Sequence, residues 1–104
     1  MNISNYILQI LKSQLCIMMS WGFSQLQIID NGIKFHVSGF VHQGYVEVVY
    51  NEGKDLFEVI FLDKKNKEVK RIDDVYFDQL VDVIDSAVEH TNDYEKKVSE
   101  SLNQ

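Results

Sequence analysis

Asp74, Asp78, Asp82, Asp85, Glu89 and Asp93 recur three or four residues apart. On a helix turning about 100° per residue they share an arc of about 100°. No Lys or Arg stands between Asp73 and Asp93. Paired carboxylates can serve as general acid and base, but that chemistry needs a cleft and one desolvated, pKa-raised member. An exposed helix face supplies neither. Three uses remain: a solvated face that aids solubility, a docking surface that steers a basic partner, or mimicry of a phosphate backbone, whose spacing a turn of about 5.4 Å approaches. The last two make the chain an acidic inhibitor or nucleic-acid mimic seated in a basic protein groove.

Other reactive residue types are sparse. Cys16 is the single cysteine, so no intramolecular disulfide forms, and a reducing compartment is the expectation. Set beside Ile17, Met18 and Met19, it reads as packed core rather than nucleophile. His36 and His42 lack a second His, Cys or carboxylate at metal-ligand spacing. Gly39 and Gly44 do not match a phosphate loop, since no Lys-Ser/Thr pair follows. The sequence therefore assigns no catalytic, cofactor-binding or metal residue, and the chain reads as a non-enzyme with no cofactor.

These residues must be carried by elements that the hydropathy pattern outlines. Ile33, Phe35 and Val37 alternate with Lys34, His36 and Ser38, as in a strand with one buried face. Asn31-Gly32 before them predicts a type I′ hairpin joining 26–30 to 33–37. Residues 45–50 and 56–62 are rich in Val, Tyr, Phe and Ile and form a second pair. Residues 68–72 make a short fifth strand guarded by Lys and Arg, and five of the ten basic residues fall between Lys64 and Arg71.

Two amphipathic helices flank the strands. Ile3, Tyr6, Ile7, Ile10, Leu11, Ile17 and Trp21 recur at helical spacing, with Asn2 or Ser4 as cap and Gly22 as stop. Leu8, Leu15, Met18 and Met19 widen that stripe beyond what one sheet face needs. Phe77, Leu80, Val81, Ile84, Ala87 and Val88 make the stripe of a C-terminal helix, with Asp73 and Asp74 at its start. Past Asp93 the chain either extends that helix through Tyr94, Val98 and Leu102 or frays.

The chain of 104 residues, 45% hydrophobic with a formal charge of −6, suits a single α+β domain over 1–104: an N-terminal helix, an antiparallel meander of about five strands, and a C-terminal helix, with both helices on one face. The acidic balance argues against direct nucleic-acid or anionic-membrane binding. The first apolar run is too short and polar to span a bilayer, and it lacks the basic start of a signal peptide, so a cytoplasmic location is expected. The uncovered sheet face would carry Tyr45, Val49, Leu56, Ile60 and Leu62, an apolar patch of the kind that marks an interface. With Met18, Met19 and Trp21 it points to an accessory protein that binds another protein, itself included as a homodimer.

Overall fold

The computed structural model describes residues 2–89. Two helices, α1 (Ile3–Lys12) and α2 (Leu15–Ser20), precede five strands and a closing helix. The strands are β1 (Ser24–Ile29), β2 (Gly32–Ser38), β3 (Gln43–Asn51), β4 (Leu56–Leu62) and β5 (Glu68–Val75). A 3₁₀ turn, Phe77–Gln79, leads into α3 (Leu80–Glu89). The strands pair antiparallel in sequence order, so the architecture is the expected α+β meander. Among the described residues no helix is long and apolar enough to cross a membrane. Residues 93–104, with Asp93 and the expected tail positions, lie outside the described residues.

Period-2 patterning decides which face is covered. Ile33, Phe35, Val37, Val46, Val48, Val59 and Phe61 point to one side and are essentially inaccessible. Ile7 and Leu11 of α1, Met18 of α2, and Leu80, Ile84 and Val88 of α3 close over them in one cluster. Burying each such side chain favours folding by about 1.5–3 kcal/mol. Trp21 stacks on Phe35 at 6.4 Å between ring centroids, and Phe23 lies on the same ring at 4.6 Å. Ser4 is the buried polar member: its hydroxyl donates to the Gly32 carbonyl at 2.7 Å and ties α1 to the first hairpin.

The N-terminal helix is two helices rather than one. Asn2 caps α1, its side chain accepting from the Ser4 and Asn5 N–H groups. At the other end the Ser13 hydroxyl donates to the Ile10 carbonyl at 2.6 Å, competing with the backbone ladder, and Gln14 leaves helical geometry. Gly22 ends α2 at φ +69°, where a side chain would crowd Ser38 at 3.3 Å.

The first turn is shifted by one residue from expectation. Its central residues are Asp30 and Asn31, of which Asn31 has positive φ. Gly32 instead belongs to β2, where a Cβ would lie 2.0 Å from the Val48 carbonyl oxygen. The C-terminal helix also starts late. β5 continues until Val75 pairs with Phe57 and is buried. Asp73 and Asp74 therefore bulge opposite Glu58, with Asp74 at φ +57°. The Gln79 side chain takes over the capping role, accepting from the Tyr76 N–H at 3.2 Å.

Candidate functional site

The expected row of acids loses its first member to the sheet. Asp74 sits on β5 and pairs with Lys54 at 3.1 Å; Asp78 lies in the 3₁₀ turn; Asp82, Asp85 and Glu89 are on α3. Two of those three have structural work. Asp85 accepts from the Trp21 indole N–H at 3.0 Å. Glu89 accepts from the Phe40 backbone N–H at 3.3 Å. The adjoining Val88 carbonyl accepts from Val41 and His42, docking the β2–β3 loop on the helix end. Asp74 thus lies off the helix, while Asp78, Asp82, Asp85 and Glu89 follow one another along the 3₁₀ turn and α3.

The face of the sheet away from the helices carries Tyr45, Val49, Leu56, Ile60 and Leu62 as expected, but it is not an open apolar patch. Ile60 and Leu62 are each only 7% accessible, and the other three are half-buried. Cross-strand neighbours explain this. Ile60 stands between Glu47 and Arg71 in register, and Arg71 reaches Glu58 at 2.9 Å and Glu68 at 3.3 Å. The Lys34 ammonium lies 5.0 Å from the Tyr45 ring centroid, and His36 meets the same ring edge-on.

Met18 and Trp21 belong to the core and cannot meet a partner, while Met19 is exposed. Cys16 is exposed as well, contrary to its expected burial. It falls on the outer side of α2, which the break at Ser13-Gln14 makes too short to be enclosed. Among the described residues no three His, Cys, Asp or Glu side chains gather in a way that could hold a metal ion.

Sequence periodicity singles out Met19 but misses other apolar groups that face solvent. Ile28 is 60% and Leu26 40% accessible on β1; Leu15 and Met19 are exposed on α2, which Trp21, Gly22 and Phe23 join to β1. β1 is an edge strand with no charged side chain. Its outward hydrogen-bonding groups follow from the register. Asn31 bonds toward β3 and Ser38 toward Trp21, so even-numbered β2 residues face β1. Lys34 and Gly32 thus bond Gln27 and Ile29, leaving the Ile28 N–H and C=O pointing outward. The absence of charge in 24–29 is the signal that could have identified this edge.

No family model, curated protein or solved structure matches the chain.

Proposed function

We propose that this is a non-catalytic accessory protein that acts by protein–protein binding, and that it forms a homodimer through β1. The observation that carries the reading is an uncharged, unpaired edge strand bearing Ile28 at 60% exposure. A chain with net charge −6 repels its own copies. Antiparallel pairing of two β1 strands about a two-fold axis brings together the one strand that contributes nothing to that repulsion. It also satisfies the outward groups of Ile28. Edge pairing alone falls short of the roughly 800 Å² per partner of a stable interface. Leu15 and Met19 on α2 supply further apolar area beside it. An exposed, unpaired Cys16 suits the reducing cytoplasm, where we place the protein.

Amide hydrogen exchange of the full chain at low and high protein concentration tests this. The expected result is that protection at Ile28 and its β1 neighbours rises with concentration while β5 stays constant. Concentration-independent exchange throughout β1 would overturn the reading.

A further inference from the structure

At one end of the sheet the turn 52–55 and the Tyr76-Phe77 corner form two lips of a cleft of about 450 Å³. Its walls hold five aromatic rings: Tyr6, Tyr50, Phe57, Tyr76 and Phe77. Tyr6 and Tyr50 pack on Phe57, at 6.5 and 5.4 Å between centroids, which fixes the floor. Tyr76 and Phe77 are 57% and 55% accessible, large aromatic areas left facing water. Glu52 and Asp55 also line the cleft, and the Tyr50 hydroxyl donates to Asp55. A second cavity of about 470 Å³, between α1 and the start of α3, shares Tyr6 and Phe77 with the first and adds Asp78 and Asp82. Among the described residues no Lys, Arg or His lines either cavity. Lys54, beside Asp55 in the turn, is held by Asp74 of β5 at 3.1 Å.

We infer that this groove binds an extended arginine- or lysine-bearing segment of a partner protein. Aromatic faces attract a cation through their quadrupole, and a carboxylate at the rim adds direct charge complementarity. Two carboxylates at each end, with the shared Tyr6 and Phe77 between them, suit a chain with more than one cationic side chain better than a single small cation. The sequence-level idea of an acidic surface for a basic partner thus reappears at Asp78 and Asp82, supported by neighbouring rings rather than by a helical row. The site is separate from the β1 edge, so either can fail without the other.

The test is fluorescence anisotropy of the full chain with a fluorescein-labelled hexa-arginine peptide, and with its citrulline counterpart as the uncharged control. The proposal expects saturable hexa-arginine binding and at least tenfold weaker citrulline binding. Y76A/F77A, at two residues more than half exposed, should weaken hexa-arginine binding about tenfold, and D78N/D82N about fivefold. E47Q/E68Q, which removes two charges outside the groove, should change it less than twofold. Equal losses in D78N/D82N and E47Q/E68Q would mean that net charge alone is read, and would overturn the site. So would unchanged binding by Y76A/F77A with a native circular dichroism spectrum.

Discussion

β1 and β5 both end the sheet with an unpaired row of backbone groups, but their side chains treat that row differently. β5 has five charged side chains among its eight residues and a bulge at Asp73-Asp74. Arg71 bonds Glu58 and Glu68 and lies 3.8 Å from Asp73. Charge and bulging are the ordinary means of discouraging strand addition. β1 has only the irregularity near Gln25, no charge, and Leu26 and Ile28 facing solvent. Within one sheet, then, one edge carries charge and the other none, although Val69 of β5 is about as exposed as Ile28. The core lies mainly under β2, β3 and β4, and β5 adds only Val75 and the partly buried Ile72 to it, so the charges of β5 stand outside it.

The largest expected effect comes from Trp21, which seats the α2–β1 connection. Its indole N–H reaches Asp85, its carbonyl accepts from Ser38, and its ring is fully buried. Trp21→Ala should cost about 3–5 kcal/mol in chemical denaturation. Hydrogen exchange should rise first in β1 rather than in β5. Equal loosening at both edges would break the comparison.

Next is Ile28→Lys, which gives β1 the guard that β5 already has. The dissociation constant of the proposed dimer should rise at least tenfold, about 1.4 kcal/mol, while the thermal midpoint at low concentration stays within a degree or two. Sedimentation velocity and calorimetry read the two quantities. Arg71→Ala is the reciprocal change. The bridges around Arg71 are partly exposed, so the expected loss is about 0.2–1 kcal/mol, with no change in dimer affinity.

Asp63 gives the smallest effect and a pH signature. Its carboxylate accepts from the Lys67 and Lys65 backbone N–H groups in the turn before β5. The bond from Lys67 is the main cause that holds its pKa below the ordinary Asp value, with Lys65 and the nearby lysine charges adding to it. A lowered folded-state pKa stabilises the protein above the unfolded-state value, near 3.9. That contribution is lost as pH falls through the folded-state value. Asp63→Asn should therefore lower the melting temperature slightly at pH 7, and the gap from the parent should close in strongly acidic solution. A gap independent of pH would assign the turn's stability elsewhere.

The fold was legible because its signals are local and repeated. Alternation in 33–37 and the stripes through Ile7, Leu11, Ile84 and Val88 each identify an element by itself. Asp73 and Asp74 misled because they are good capping types, and only the pairing of Val75 with Phe57 keeps them in a strand. The apolar residues of the outer sheet face were correctly placed on that face. Their exposure was not legible, since it depends on Arg71 and Lys34 reaching across from neighbouring strands. Helical spacing from Asp73 puts Phe77 in the core stripe, but the later helix start leaves it 55% exposed. Asp78 and Asp82 stand out as acids in the sequence and Phe77 adjoins them, but Tyr6, the other ring of their cavity, comes from α1 and is distant in sequence.

Sedimentation equilibrium of the full chain beside its Ile28→Lys variant tests the central claim most directly. The open β1 edge predicts that the parent's weight-average mass rises with concentration from the 12.1 kDa chain mass toward twice that value, while the variant stays at one chain mass. A parent that remains monomeric at every concentration, or a variant that dimerises as well as the parent, would contradict it.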